Sequence, residues 1–319
     1  MNFLNLLFEF FLHFTEVKKH VTIVLPNYFI LEVSMNLVDL HVHSNASDGT
    51  LTPTEVVSLA VKKNLTAIAL TDHDTIDGLK EANEASFNQP LEIIPGIELS
   101  CVYQGQEIHI LGLFVDSSDS QFISEINGLK NIRDKRNQEM IRLFQEADMK
   151  ITLEEVTAGN PKTVITRAHF ARVLYEKGYV KTMDQAFKKY LTYGGHFCPK
   201  KEDITPEHAM KILTDNHAFP VLAHPCQYRM GDKKTEELVK DLKDLGLLGL
   251  EVYHSSNNSY ESGKSKKLSK QYNLYPTGGS DFHGSNKPDI DLGSGRGGLR
   301  ISHLLLEDIK RYRQEQTGL

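Results

Sequence analysis

Asp39-Leu-His41-Val-His43-Ser-Asn-Ala-Ser-Asp48-Gly49 is the stretch on which the reading of this chain turns. It begins within a short apolar run, Leu37–Val42, that reads as a β-strand. Side chains alternate across a strand, so His41 and His43 point to one face. Two imidazoles on one face suit a single metal ion. Asp39 shares their parity and is expected to orient a histidine ring. Alone, a His-x-His pair in a strand is more often surface or core than ligand. The following Ser47-Asp48-Gly49 turn favours the ligand reading.

The same event repeats along the chain. Strand candidates are Leu37–Val42, Ala67–Leu70, Leu91–Ile97, Ile108–Val115, Pro220–Ala223, Leu247–Val252 and Leu274–Pro276. Their ends or neighbours carry Asp72 and His73, Glu98, His109, His224, then Asp281 and His283. Helical stretches separate them. Pro53–Lys63 starts with a Thr52/Glu55 capping pattern. Strand and helix in alternation predict a parallel sheet or barrel, and in a barrel the strand C-termini converge on one face. Burying so many polar side chains without partners would cost roughly several kcal/mol each. Metal coordination removes that cost.

Residues 118–205 break the rhythm. Phe122, Ile126, Leu129, Ile132, Met140 and Leu143 recur near helical spacing. The expected organisation is an N-terminal extension (1–34), a first barrel part (35–117), an inserted helical subdomain (118–205) and a second barrel part (206–319). Asn2–Phe14 is rich in Leu and Phe but is interrupted by Glu9 and too short to span a bilayer. It lacks a basic start and a cleavage site for a signal peptide. It reads either as an amphipathic extension or, the favoured reading, as sequence upstream of a true initiator at Met35. No membrane role and no obligate protein partner follow.

The formal net charge is −6, and no basic stripe is visible. Stable binding along a nucleic-acid duplex is therefore not expected. A phosphate ligand would need positive charge from bound metal. The three cysteines form no Cys-x-x-Cys pair, which argues against a disulfide framework or zinc ribbon and fits a cytoplasmic protein.

The segments DLHVHSNASDG (39–49), TDHDT (71–75), PGIELS (95–100), EIHILG (107–112), LAHP (222–225) and GGSDFHG (278–284) resemble the successive motifs of the PHP (polymerase and histidinol phosphatase) superfamily. The chain is most similar to its stand-alone bacterial phosphoesterases, the branch of nucleoside 3′,5′-bisphosphate phosphatases and 5′–3′ exoribonuclease-like enzymes. The resemblance runs from Met35 to about Gly298. It implies a distorted seven-stranded (β/α)7 TIM-like barrel with a trinuclear metal site. On that resemblance, His41, His43, Glu98 and Asp281 hold a first metal. Glu98 bridges to a second, held also by His109 and His224. Asp48, His73 and His283 hold a third. A mixture of six histidines with three carboxylates suits Mn²⁺ first, with Fe²⁺ or Zn²⁺ as alternatives, over Mg²⁺ or Ca²⁺. Three such ions outweigh the charge of Asp48, Glu98 and Asp281, and leave a cationic pocket within an acidic protein.

The implied nucleophile is a metal-bridging hydroxide, with support from His254 and Asp72. Asp72, Asp74 and His254 read first as supporting residues, and protonation of the leaving group is the sharper role for His254. Arg136 falls on the apolar stripe of its helix, seven after Leu129 and seven before Leu143. A buried arginine wants an anion. Arg136 and Arg167, and more weakly Arg133, are the candidate clamps for a second phosphate. His169 and Lys200 read as structural or solvated. A nucleotide or short oligonucleotide is the expected substrate. The alternatives are a small-metabolite phosphatase of the histidinol-phosphate type and a non-catalytic PHP binding module. The latter is disfavoured because every expected ligand position is filled.

Overall fold

Val38, Leu40 and Val42 have no exposed surface to speak of, and neither do Asp39 and His41 between them. A strand buried on both faces belongs inside a covered sheet. The computed structural model describes residues 20–25, 29–34, 36–200 and 204–317. In it, β1 (His20–Leu25) and β2 (Phe29–Ser34) pair as an antiparallel hairpin outside the main sheet. The expected initiator Met35 and the Asn2–Phe14 stretch lie outside the described residues.

The main sheet has seven strands in sequence order: β3 (Leu37–Val42), β4 (Leu65–Leu70), β5 (Glu92–Tyr103), β6 (Gln106–Leu113), β7 (Phe219–Leu222), β8 (Gly249–His254) and β9 (Tyr275–Gly279). Its ends meet. The His43 amide donates to Phe282 O at 3.0 Å and the Asp281 amide to His41 O at 2.9 Å, so the barrel nearly closes. Gly279 makes this seam feasible, because a Cβ there would lie 2.1 Å from the His41 Cβ.

One expectation is corrected. The barrel is not wholly parallel, because β6 runs antiparallel to both β5 and β7. The cause is local. Gln104 (φ 49°) and Gly105 (φ 83°) form a two-residue turn, which joins antiparallel strands and is too short for a parallel crossover. As a result the first half of β6, with Glu107 and His109, lies at the same end as the strand C-termini.

Helices clothe the barrel. Helix α1 (Pro53–Lys62) carries the Thr52/Glu55 capping box read from the sequence. Helix α2 (Leu79–Ser86) follows β4. The segment after β6 supplies α3 (Ser120–Glu146), α4 (Leu153–Thr157), α5 (Arg167–Glu176) and α6 (Met183–Lys189). Then come α7 (Pro206–Asp215), α8 (Asp232–Asp244), α9 (Ser259–Gln271) and α10 (His303–Thr317). Helix α3 serves two cores. Phe122, Ile126 and Leu129 pack with the barrel, whereas Met140 and Phe144 join Ile165, Phe170 and Leu174 in a separate cluster. Among the described residues, no helix is long and apolar enough to cross a membrane.

Candidate metal centre

Glu98, buried near the middle of β5, is the hub. Its Oε1 lies 2.9 Å from His109 Nδ1 and 3.0 Å from His224 Nε2. Its Oε2 lies 3.1 Å from His73 Nδ1, 3.2 Å from His43 Nε2 and 3.4 Å from His41 Nε2. Asp281 Oδ1 is 3.5 Å from His43 Nε2 and 3.3 Å from His283 Nδ1. Asp48 Oδ1 is 3.1 Å from His283 Nε2, and its Oδ2 is 3.8 Å from His73 Nε2. The nine residues singled out in the sequence thus meet at one end of the barrel. The backbone bends sharply to bring them there. His224 (φ 29°) and Asp281 (φ 57°) both occupy the left-handed region, a strained conformation for such residues.

The donor atoms form four overlapping groups, each within 4.8 Å: His43–Asp48–His73–His283, His41–Glu98–His224, His41–His43–Asp281 and His73–Glu98–His109. This differs from the expected partition in that His43 also stands with Asp48, and His73 with Glu98 and His109. His41 Nε2, both ring nitrogens of His43, His73 Nδ1 and His224 Nδ1 are buried without a hydrogen-bond partner. Each orphaned group costs about 1–3 kcal/mol. Burial pushes the His43 and His73 rings down to about 3 and about 4, so both are neutral, the form that binds a cation. Burial alone would raise the Glu98 carboxyl, but His73, His109 and His41 outweigh it and hold it well below the usual range. Burial would likewise lower His109, yet Glu98 and Glu107 lift it to about 9. Orphaned ring nitrogens around ionised, buried carboxylates are a donor set that fits divalent cations.

The sequence profile of the PHP domain matches residues 39–201. The chain belongs to the PHP domain family. This PHP chain is 33% identical over 258 residues to the 3′,5′-nucleoside bisphosphate phosphatase of Chromobacterium violaceum, covering 80% of this chain and 90% of that one. It is 34% identical over 245 residues to a 5′-3′ exoribonuclease of Haemophilus influenzae, covering 77% and 89%. A solved structure from Bifidobacterium adolescentis, assigned as a metal-dependent phosphoesterase, superposes with a TM-score of 0.75 at 28% identity, covering 86% and 95%.

Several residues position the PHP donors. Asp39 does not orient a histidine ring. Two residues back along β3, it sits a layer below the donors. There it accepts the Ser280 and Gly293 amides, each at 2.8 Å. The orienting residue is Glu251 on β8, which sequence reading missed. Its Oε1 lies 3.1 Å from His41 Nδ1, and its Oε2 accepts the His224 amide at 2.7 Å. The available signal was a glutamate inside an apolar strand. Asp72 accepts the Ser44 amide at 2.8 Å, Ser44 Oγ at 2.7 Å and Ser47 Oγ at 2.6 Å, so it braces the loop that delivers Asp48. His254 Nδ1 accepts the Ser256 amide at 3.1 Å, and its Nε2 lies 3.4 Å from Asp281 Oδ2 and 3.2 Å from Gln227 Nε2.

A cleft of about 550 Å³ opens over the centre, lined on the insertion side by Arg133, Thr166 and Arg167 and on the β9 side by Asp281 and Lys287. Arg133 is buried in an ion pair with Asp74 and donates to Ser100 Oγ at 3.0 Å. Arg167 donates to Glu107 Oε1 at 2.6 Å. Lys287 Nζ lies 2.6 Å from Asp281 Oδ2. Arg136 does not line the cleft. It lies three residues further along α3 and donates to Asn137 Oδ1 at 2.8 Å, and Asn137 in turn donates to Ile165 O at 3.0 Å. Burial and the nearby Arg133 push it down to about 10. The insertion is also stitched to the Asp48 loop. Thr166 Oγ1 donates to Asp48 Oδ2 at 2.8 Å, and the Val164 amide donates to Ala46 O at 2.9 Å.

Proposed function

We propose that this PHP protein hydrolyses phosphate esters of nucleotides, as a 3′-phosphatase of nucleoside 3′,5′-bisphosphates and a 5′–3′ exonuclease on short oligonucleotides. One observation carries the reading. A buried histidine–carboxylate centre and two arginines, Arg133 and Arg167, face one cleft large enough for a nucleotide. A ligand with two phosphates satisfies both, and the named relatives are a 3′,5′-nucleoside bisphosphate phosphatase in C. violaceum and a 5′-3′ exoribonuclease in H. influenzae.

The residues that would hold three divalent cations are His41, His43, Asp48, His73, Glu98, His109, His224, Asp281 and His283, with Mn²⁺ the first choice for this donor mixture. Bound cations supply charge neutralisation and an activated water. The chain does the rest. Glu251 and Asp72 fix ring and loop, Arg133 and Arg167 grip the distal phosphate, and His254, beside Asp281 at the edge of the centre, serves the leaving oxygen as general acid. We read residues 118–205 as an inserted substrate-binding subdomain between the barrel parts 35–117 and 206–319, and the enzyme as cytoplasmic.

The test is phosphate release with Mn²⁺ from adenosine 3′,5′-bisphosphate, short RNA and DNA, and histidinol phosphate. Turnover of the bisphosphate and the oligomers with little on histidinol phosphate is expected. The opposite preference would overturn the reading.

A further inference from the structure

A second depression, of about 810 Å³, lies beside the cleft, between the β8–α9 loop and the segment 296–300. Arg296 lines both cavities. His254 lines the second and stands 3.4 Å from Asp281 in the first, so one side chain separates them. The lining of this depression is chemically one-sided. It carries the cations Lys266, Arg296 and Arg300 among serines and asparagines, with no aspartate or glutamate. In a chain of net charge −6 that composition is conspicuous. Arg296 is paired with Asp289, but among the described residues Lys266 and Arg300 have no carboxylate within ion-pair range. Asn257 Oδ1, also in this wall, is buried without a hydrogen-bond partner.

The position adds direction. Arg133 and Arg167 approach the centre from β5 and β6, through Asp74 and Ser100 and through Glu107. The depression adjoins the end of β8, on the far side of His254 from Asp281. A polynucleotide gripped by its terminal 5′-phosphate at the arginines, with its first internucleotide phosphate at the centre, must continue on this second side. We propose that the depression is a track for the downstream strand of a single-stranded oligonucleotide, with Lys266, Arg296 and Arg300 meeting its phosphates and the serine and asparagine side chains its sugars and bases. The inference rests on the phosphoesterase reading and deepens it. Single-strand grooves of this kind combine cations with sequence-tolerant contacts.

The experiment compares the Mn²⁺-loaded enzyme with Lys266→Glu/Arg300→Glu, and with a charge-matched control, Lys80→Glu/Lys211→Glu, on exposed faces of α2 and α7. The readout is kcat/KM for a 5′-phosphorylated RNA pentamer divided by kcat/KM for adenosine 3′,5′-bisphosphate. In the groove variant this ratio is expected to fall on the order of tenfold, with the salt slope of log KM for the pentamer shallower by about 1.4 for two lost phosphate contacts. The control is expected to keep the parental ratio. A ratio unchanged in the groove variant, or equal losses on both substrates, would overturn the track. If the unsubstituted enzyme turned over neither substrate, the phosphoesterase reading itself would fail, and that failure is visible before any variant is made. Circular dichroism and metal content of the variant exclude misfolding as the cause of a lowered ratio.

Discussion

Glu251 Oε1 lies 3.1 Å from His41 Nδ1, and neither side chain is exposed. The contact leaves the opposite nitrogen, Nε2, turned toward Glu98 and Asp281. The second oxygen of Glu251 holds the backbone of His224, so one carboxylate sets two donors. Glu251→Gln should therefore lower metal affinity about 10–100-fold, the usual effect of losing such a partner. Metal content after dialysis against graded Mn²⁺ measures it. Unchanged retention would show that Glu251 serves only the strand.

Arg167 and Arg136 should separate cleanly. Arg167→Ala is expected to raise KM for a bisphosphate at least about tenfold while sparing a monophosphate, since a charge-assisted contact is worth about 1.5–3 kcal/mol. Arg136→Met should leave both KM values unchanged, because Arg136 is bound to Asn137 and does not line the cleft. Steady-state kinetics on matched mono- and bisphosphates decide this. Equal KM shifts in the two variants would refute the assignment.

Gly279→Ala tests the barrel seam. A methyl group would collide with the Cβ and backbone of His41. Overpacking of this kind costs about 1–3 kcal/mol. A thermal melt should show a lowered Tm, and metal content should fall with it, since His41 must move.

Chelation should destabilise the whole protein. Removing cations leaves buried ring nitrogens without partners, so EDTA is expected to lower Tm and added Mn²⁺ to restore it. His41→Ala and Asp281→Ala should each abolish turnover and shrink this metal-dependent difference. Calorimetry with and without Mn²⁺ reads both.

Much of this was legible in the residues. The strand Leu37–Val42 and the capping box at Thr52 are local features, set by alternation and by side-chain reach, and the structure carries both. The donors were legible because polar residues at the ends of apolar strands are costly without a purpose. What the sequence could not show depends on the third dimension. Asp39 and Glu251 have the same chemistry, and only the layering of the barrel gives the ring contact to Glu251. Arg133 and Arg136 share one helix face, and only the packing of the folded chain puts Arg133 on the cleft and leaves Arg136 off it. The reversal of β6 was encoded locally, in Gln104-Gly105, but the expectation of a wholly parallel barrel obscured it.

Thr166 begins the helix that presents Arg167, and its hydroxyl rests on Asp48. The element proposed to select the substrate is thus spliced to a residue proposed to help hold the cations. A lineage could not trade this insertion for another without repairing the reaction centre at the same time. Changes of specificity should then accumulate by single replacements along α5, not by exchange of the whole segment.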